Sequence, residues 1–374
     1  MAADHFPRSS ALKQFRSQLL EWFAAHQRDL PWRRNRNPYR IWISEIMLQQ
    51  TRVAAVIPYF DKFCARFPNV AALAEAEESE VLRMWSGLGY YSRARNLQAA
   101  AQQMVRRHGG HFPATETEIR GLRGIGKYTT NAILSIAFGE QHAVLDGNVA
   151  RVVARLGAIR GDLRESTRWE LLQETADHLL ARESPGNWNQ AMMELGATVC
   201  TPRAPKCLLC PVARFCHARK LGIQELIPEK RKKRATVEVT LAVAVLADER
   251  GRCILLPPPK NGTGKIADDH IPTLVSKMWH FPTISAGKNP AGELRRYVAK
   301  NIATAGALPL RFTALGNLRH TVTYRAIRVF PFRVEFAKLP DITGAKKILL
   351  ENFSTLPVSN LTRKVARAAL AAPK

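Results

Sequence analysis

The sequence predicts a multidomain protein in which an all-α domain is followed by an α+β domain. Over residues 11 to about 218, apolar side chains recur at the three- and four-residue spacing of helices, whereas beyond residue 236 they alternate with a period of two. At 374 residues the chain is long enough for about two domains, each with its own core. We therefore expect domains over residues 1–218 and 236–374 with a linker over 219–235.

Helices are predicted where apolar residues repeat at helical spacing, with prolines and glycines between them. The predicted segments are Leu12–Phe23, Ile43–Ile57, Val81–Trp85, Ala94–Val105, Ile133–Phe138, Val149–Leu156 and Leu171–Leu180. Thr115 and Glu118 have the spacing of a capping box, which predicts that another short helix starts there.

A glycine turn follows that short helix. Gly124 and Gly126 permit a tight connection to a helix that begins near Tyr128, which makes residues 115–138 a helix-hairpin-helix pattern. The free N–H groups at the start of the second helix would suit a DNA phosphate. The alternative is a plain connector between two helices.

Four cysteines lie within seventeen residues, with the spacing C-x6-C-x2-C-x5-C: Cys200, Cys207, Cys210 and Cys216. Thiolates this close in sequence can surround one metal centre. Structural zinc sites usually have two close pairs, and here only Cys207 and Cys210 are two residues apart. The spacing therefore favours a [4Fe-4S] cluster, and the alternatives are zinc and thiols without a ligand.

The chain is strongly basic, with a net charge of +25 and a pI near 10.4, which favours a nucleic-acid partner over a merely solvated basic surface. The N-terminus lacks the apolar stretch of a signal peptide, and no run of 18 apolar residues occurs, so we expect no membrane association. Cys64 and Cys253 are too few and too far apart to suggest disulfides, which indicates a reducing compartment such as the cytoplasm.

The second domain is predicted from alternation. A proline and a basic run at residues 228–234 indicate a linker. Alternating apolar residues from Val237 to Val245 then predict a strand, and Asp248–Gly251 predicts a hairpin turn into Cys253–Leu256. Two further groups are Phe330, Phe332, Val334 and Phe336 on another strand, and Leu294, Tyr297 and Val298 on one face of a helix.

Two carboxyl groups have opposite surroundings in the sequence. Glu45 lies among apolar residues, which favours its protonated form, whereas Asp146 lies just before a predicted helix, which favours an anion. Such a pair suits glycosidic bond cleavage, which needs a proton donor for the leaving group and an anion near the cationic sugar. The alternatives are a salt-bridged glutamate and an ordinary N-cap aspartate.

Several of these motifs carry a family resemblance. The glycine turn, the segment Leu145–Val149 and the four cysteines resemble the endonuclease III superfamily of DNA glycosylases. The segments Trp42–Thr51, Gly87–Ala94 and Asn189–Gly196 look like those of the MutY-type adenine DNA glycosylases, and the resemblance covers about residues 10–220. It implies a DNA repair glycosylase with a [4Fe-4S] cluster. Such an enzyme flips out and hydrolyses adenine paired with 8-oxoguanine or guanine in double-stranded DNA, which initiates base excision repair.

The resemblance also implies roles for individual residues. Tyr128 stands where the lyases of the superfamily carry a nucleophilic lysine, so a monofunctional hydrolase is expected, and Tyr128 and Asn148 would hold the flipped sugar and Asp146. Gln190 would lie near the adenine. Around the base opposite the adenine the family places the residues matching Gln50, Thr51, Leu88 and Tyr90, with Tyr90 as a wedge.

The second domain resembles the MutT-like (Nudix-fold) lesion-recognition domain of this family, chiefly through Met278–Pro282. The helix around Leu294 lacks the acidic set that binds magnesium in Nudix hydrolases, so nucleotide hydrolysis is not expected. Thr323, between Val322 and Tyr324, stands where relatives carry the serine of an F-S-H loop, and we expect it to contact the lesion.

We expect a monomer in the bacterial cytoplasm, associated with the nucleoid. The rival functions are a sister glycosylase, specific for mismatched thymine or acting as a lyase, and a non-catalytic iron–sulfur DNA-binding protein.

Overall fold

Residues 6–7, 9–229, 235–258, 278–303 and 307–372 are described by the structure, a computed structural model. The chain divides into two units, one formed by Met1–Glu75 with Asn96–Lys232 and the other by Ala76–Arg95 with Lys233–Lys374. Residues 230–234 of the predicted basic linker lie outside the described part, and the predicted domain limits stay a prediction.

The first half of the chain is helical, as predicted. Its helices are α1 (Ser9–His26), α2 (Pro38–Leu48), α3 (Val53–Arg66), α4 (Val70–Glu75), α5 (Glu78–Trp85), α6 (Ser92–His108), α7 (Glu116–Arg120), α8 (Lys127–Ala137), α9 (Gly147–Leu156), α10 (Ser166–Leu179), α11 (Pro185–Thr198) and α12 (His217–Lys220). Within the described residues, no helix is long and apolar enough to cross a membrane.

Helix α11 is central to the first unit, because it packs against α1, α8 and α9. Its Trp188 is almost completely buried and meets the ring of Phe15 edge-on, with the ring centroids 5.6 Å apart. This packing fixes the directions of α8 and α9, which begin near Tyr128 and Asp146.

The predicted helical segment Ile43–Ile57 is wrong, because the structure breaks it in two. Helix α2 ends at Leu48 and α3 begins at Val53. Between them Gln50 has a φ of 56°, a left-handed conformation that an α-helix excludes. The apolar spacing continues across this turn, which is why the sequence concealed it.

The helix-hairpin-helix prediction is confirmed at the level of backbone. Thr115 is the N-cap of α7, where its Oγ1 accepts the N–H of Glu118 at 3.4 Å and donates to Glu118 Oε2 at 2.6 Å. Helix α8 starts at Lys127 with Gly126 as its N-cap. The turn between the helices reaches a φ of 79° at Gly124, where an added Cβ would also lie 2.7 Å from Cβ of Asn96.

The second unit contains a mixed sheet, as the alternating pattern predicts. Its strands are β1 (Val237–Asp248), β2 (Arg252–Leu255), β3 (Thr283–Ser285), β4 (Pro309–Ala314), β5 (Leu318–Val322), β6 (Arg325–Phe336) and β7 (Lys346–Leu349). The main order is β4-β6-β1-β2-β7, with β3 on β1 and β5 on β6. Strands β1 and β6 are parallel, and the predicted β1–β2 hairpin is antiparallel.

Helices cover both faces of this sheet. Helix α13 (Pro290–Asn301) buries Leu294 and Val298 against one face, and α14 (Asn360–Ala371) buries Val365 against the other. Strand β1 is therefore buried on both sides from Leu241 onwards, instead of alternating between core and solvent. On β1, Ala242, Ala244 and Leu246 lie on the α13 face, whereas Leu241, Val243 and Val245, which belong to the predicted alternating set, lie on the α14 face.

Candidate active site

A cavity of about 460 Å³ in the first unit brings together all four predicted catalytic residues and three of the predicted DNA contacts. It lies between the start of α8, the start of α9 and the α2–α3 turn. The predicted residues that line it are Glu45, Gln50, Thr51, Tyr128, Asp146, Asn148 and Gln190. The sequence had placed these seven residues in four separate segments, and the fold gathers them around one space large enough for a nucleobase.

Glu45 lies in α2 and is 6% exposed. Burial raises the pKa of Glu45 to about 7, and the charge of Asp146 acts in the same direction, whereas the hydrogen bond from Tyr128 and the charge of Arg33 oppose it. Tyr128 Oη donates that hydrogen bond to Glu45 Oε2 at 2.7 Å. Near neutral pH, Glu45 is thus a carboxyl group that carries a proton for a substantial part of the time.

Asp146 is the N-cap of α9, as the sequence predicts. Its Oδ1 accepts the backbone N–H groups of Asn148 at 2.9 Å and Val149 at 2.7 Å, and its Oδ2 accepts Nδ2 of Asn148 at 3.1 Å. Three N–H donors at the positive end of a helix stabilise a negative charge. The carboxyl group that caps α9 also lines the cavity, so Asp146 can be both a helix cap and a residue of the candidate site.

A chain of hydrogen bonds runs from Asp146 along α9. Asn148 bonds Asp146 through Nδ2, and its Oδ1 accepts Nη2 of Arg151 at 3.0 Å. Arg151 in turn donates from Nε to the carbonyl oxygen of Cys200 at 2.9 Å. Arg155, also on α9, donates from Nη1 to Cys200 Sγ at 3.3 Å. Neither arginine was identified in the sequence, since both repeat at the spacing of an ordinary helix face.

Three further residues of the cavity escaped the sequence analysis. The side chain of Glu194 is fully buried and accepts Arg28 Nε at 2.6 Å and Arg33 Nη2 at 2.8 Å. Burial acts to raise the pKa of Glu194, but the two guanidinium groups outweigh burial and lower it. Glu194 lies in the segment Asn189–Gly196, which carries the family resemblance. An acidic residue within this largely apolar helix is the sequence feature that could have predicted a buried ion pair.

The four cysteines line a second, small cavity of the first unit. Burial raises the pKa of Cys210 to about 12; a backbone hydrogen bond from Val212 opposes this rise, and the charges of the other three cysteines add to it. The donor set is soft and thiolate-only, and Arg155 supplies a compensating positive charge, so the residues fit an iron–sulfur cluster. Among the described residues, no group of three or more His, Cys, Asp or Glu side chains is arranged to hold a metal ion, so the four thiols match a cluster by their donor type and sequence spacing.

Gly124 and Gly126 do not line the active-site cavity. Both are exposed, as is Lys127 at the start of α8, so this turn presents backbone to solvent. Exposed backbone N–H groups at the start of a helix are of the kind that can bind an anion.

Leu88 and Tyr90 belong to the second unit, on the loop between α5 and α6. Leu88 is 8% exposed and Tyr90 is 45% exposed, so of the two only Tyr90 presents a large surface. Gly89 has a φ of 77° and Tyr90 a φ of 49°, which gives a sharp turn. A bulky residue in this conformation is uncommon and marks a position held by its surroundings.

Thr323 occupies the first position of the two-residue turn between β5 and β6, with a φ of 53°. Such turns require a positive φ there and usually use glycine or asparagine, so a β-branched residue is strained. Its Oγ1 donates to the carbonyl oxygen of Val322 at 2.7 Å, which leaves the exposed oxygen able to accept a hydrogen bond.

Comparison with known proteins gives consistent matches. Residues 43–178 match the HhH-GPD superfamily of base excision DNA repair proteins. The adenine DNA glycosylase of Homo sapiens is 35% identical over 407 residues, covering 94% of this chain and 73% of that protein. That of Schizosaccharomyces pombe is 30% identical, covering 84% and 80%. The solved structure of a thermostable thymine-DNA glycosylase is similar with a TM-score of 0.52 and 31% identity, covering 56% of this chain and 97% of that one.

Proposed function

This chain belongs to the adenine DNA glycosylases of the HhH-GPD superfamily, an enzyme family that removes adenine to start base excision repair, and we propose that its substrate is adenine paired with 8-oxoguanine or guanine in double-stranded DNA. The observation that carries the proposal is the hydrogen-bonded Glu45–Tyr128 pair, which lines the same cavity as Asp146, and that cavity is large enough for a nucleobase. A base must leave the helical stack to enter such a cavity.

Glu45 is the proposed general acid. Its pKa of about 7 leaves the carboxyl protonated often enough to donate to a ring nitrogen of the extrahelical adenine. As the bond between the sugar carbon and the base breaks, the electron pair of that bond leaves with adenine, which takes the proton. Gln190 lines the same cavity, and its amide offers a donor and an acceptor that match the adjacent amino group and ring nitrogen of adenine.

Asp146 is the proposed counter-charge for the cationic sugar. Its carboxylate is held by Asn148 and the start of α9, so it needs no reorganisation when positive charge develops. Water then adds to the sugar carbon, and the proton that it loses returns to the Glu45 carboxylate. Tyr128 cannot form an imine with the sugar, which supports a monofunctional hydrolase.

The proposed contacts with DNA lie in both units. In the first, Gln50 and Thr51 line the cavity at the α2–α3 turn, and Gly124 and Gly126 offer backbone N–H groups to a phosphate. In the second, exposed Tyr90 suits a wedge that fills the space of the flipped base. The net charge of +25 suits a polyanionic partner.

The proposed cofactor is a [4Fe-4S] cluster held by Cys200, Cys207, Cys210 and Cys216. Bound there, it would act as a structural and electrostatic element of the loop after α11. The arginines of α9 would place positive charge beside its thiolates. Glu45 and Asp146 line a different cavity, so the proposed chemistry proceeds on this chain's own side chains.

The second unit is proposed to recognise the lesion with a MutT-like, Nudix-type fold. Its mixed sheet between helices α13 and α14 supports this, as does exposed Thr323 at a strained turn. Leu88, which is 8% exposed, stays a proposed contact to the base opposite the adenine. We further propose that the enzyme acts as a monomer in the bacterial cytoplasm.

The direct test is excision from synthetic duplexes. Duplexes with adenine opposite 8-oxoguanine, guanine or thymine are incubated with the protein, and each is analysed with and without alkali. The expected result is adenine release from the first two, with strand breaks only after alkali. Strand cleavage without alkali, with an adduct trapped by borohydride, would contradict the monofunctional assignment, and release from the thymine pair alone would contradict the proposed substrate.

A further inference from the structure

Ser86, the residue that ends α5 just before the Gly87–Tyr91 loop, is held by a distant part of the second unit. Its hydroxyl donates to the carbonyl oxygen of Val358 at 2.9 Å. The hydroxyl oxygen of Ser86 also accepts Nη2 of Arg363 at 2.8 Å and Nε of Arg363 at 3.2 Å. Two nitrogens of the Arg363 guanidinium thus donate to the buried Ser86 hydroxyl, which itself donates to the Val358 carbonyl oxygen.

Two further hydrogen bonds join the loop to residues 358–360. Tyr91 Oη donates to the carbonyl oxygen of Val358 at 3.2 Å, and Nδ2 of Asn360 donates to the carbonyl oxygen of Gly87 at 3.2 Å. The Val358 carbonyl oxygen therefore accepts one hydrogen bond from each end of the loop, from the hydroxyl groups of Ser86 and Tyr91. Val358 and Tyr91 are both buried, so water does not compete readily for these bonds.

Tyr90 lies between these two anchored ends. Its ring packs against the Arg93 guanidinium, whose carbon is 5.6 Å from the ring centroid, and Arg93 Nη2 donates to the carbonyl oxygen of Gly89 at 3.2 Å. The left-handed backbone of Tyr90 is costly for a bulky residue. Such a conformation persists only where the surroundings impose it, and the bonds to Val358, Asn360 and Arg363 are those surroundings.

Helix α14 also bonds the strand that leads into the Thr323 turn. Lys364 Nζ donates to the carbonyl oxygen of Arg319 at 2.8 Å, in the strand β5 that leads into the turn at Thr323. Just before α14, Val358 pairs with Trp279, whose N–H donates to the carbonyl oxygen of Pro357 at 3.0 Å. One short stretch, residues 357–364, is therefore bonded to the Tyr90 loop, to Trp279 and to β5.

We propose that Arg363 is a positioning residue, which acts through Ser86 to fix the direction of Tyr90. The start of α14 thereby holds the Tyr90 wedge and the Thr323 turn in one fixed spacing, matched to the lesion and the neighbouring base step. This inference rests on the proposed wedge role of Tyr90. Arg363 itself touches neither the adenine nor the lesion.

The proposal separates Arg363 from an ordinary phosphate contact. A phosphate contact lowers affinity for every duplex and reduces the slope of log affinity against log salt by about one. A positioning residue leaves that slope unchanged and impairs base extrusion. Arg367 lies one turn later on α14 and is exposed, so Arg367→Ala removes the same charge as a matched control.

The experiment compares Arg363→Ala, Ser86→Ala, their double variant, Ser86→Thr, Arg367→Ala and Tyr90→Ala in the full chain. A 2-aminopurine next to the adenine:8-oxoguanine pair reports unstacking, and single-turnover rates report excision. We expect Arg363→Ala and Ser86→Ala each to weaken the fluorescence change and slow excision roughly tenfold, and the double variant to be no worse, because the two residues share one interaction. Ser86→Thr, which keeps the hydroxyl, and Arg367→Ala should behave as the parent.

Thermal melting of each variant excludes a folding defect, and the conservative Ser86→Thr provides the comparison if Ser86→Ala is unstable. A normal fluorescence change in both Arg363→Ala and Ser86→Ala, with a defective Tyr90→Ala, would overturn the positioning role and leave the wedge intact. A reduced salt slope in Arg363→Ala with normal unstacking would assign it to a phosphate. A fully active Tyr90→Ala would overturn the wedge and this inference together.

Discussion

Tyr128 donates a 2.7 Å hydrogen bond to Glu45, the buried carboxyl group whose pKa is raised to about 7. Burial stabilises the neutral acid, while the phenol stabilises the carboxylate, so the two act against each other on one group. The result is an acid that exchanges its proton near physiological pH, which is the condition for efficient general acid catalysis.

Tyr128→Phe should move the alkaline limit of excision to higher pH. The phenol lowers the pKa of Glu45, so its loss raises that pKa, and the acid stays protonated further into the alkaline range. The measurement is the single-turnover excision rate between pH 5 and pH 10 for the variant and the parent. If the alkaline limit of the pH–rate profile stays in place or moves to lower pH, Tyr128 does not lower the pKa of Glu45.

Glu45→Gln should abolish excision while binding of the mismatch persists. The amide keeps an oxygen for the Tyr128 hydroxyl, so the local packing survives and only the proton is lost. Loss of a general acid costs about 10²–10⁴-fold in rate. Single-turnover excision and gel-shift affinity are the two measurements, and exposed Glu140→Gln is the control. Excision within tenfold of the parent would assign the proton to another group.

Asp146→Asn distinguishes the helix cap from the counter-charge. Asparagine caps a helix as well as aspartate does, so the melting temperature should change little. The negative charge facing the cationic sugar is lost, and we expect excision to slow by about 10²-fold or more. Asp146→Ala should lose both the helix cap and the negative charge, and the loss of the cap should lower the free energy of unfolding by about 1 kcal/mol. Normal excision by Asp146→Asn would reduce Asp146 to an ordinary cap.

The purified protein should contain iron and sulfide and be yellow-brown. The reason is the thiolate-only set that lines one cavity, with Arg155 beside Cys200. Cys207→Ser should lower the iron content and weaken DNA binding more than the chemical step, whereas Cys64→Ser, which lies outside this set, should keep its iron. Elemental analysis and visible absorption provide the measurement, and stoichiometric zinc without iron would contradict the cluster.

Thr323→Ala should reduce the preference for adenine:8-oxoguanine over adenine:guanine by roughly tenfold, the typical effect of one hydrogen bond to a base edge. The Thr323 oxygen is exposed and held by its bond to Val322, so it is directed for an acceptor role. Because removal of the β-branch relieves strain at a positive φ, the melting temperature should not fall.

The measurement for Thr323 is the ratio of single-turnover rates on the two duplexes. Thr321→Ala is the matched control, since Thr321 is exposed on the neighbouring strand β5. An unchanged ratio in Thr323→Ala would show that the turn residue serves the hairpin alone. The lesion contact would then be sought at Gln50 and Thr51.

The sequence by itself determined most of the helices and strands of this protein and named the residues of its proposed chemistry. The helical spacing of most helices, the strand at β1, the capping position of Asp146 and the burial of Glu45 follow from local patterns, and the structure contains each of them. These features are readable because a helix face, a strand face and an N-cap depend on residues only a few positions apart.

Tertiary structure decided what depends on distant residues meeting. The hydrogen bonds from Arg28 and Arg33 to buried Glu194, and those from Arg363 to Ser86, join segments that no local pattern connects. The turn at Gln50 was also not predicted, because the apolar spacing continues across it. Arg363 and Ser86 are 277 residues apart in sequence. A hydrogen bond across that separation exists only after the chain has folded, because its cost in chain entropy is met by the packing of the whole unit and by no local preference.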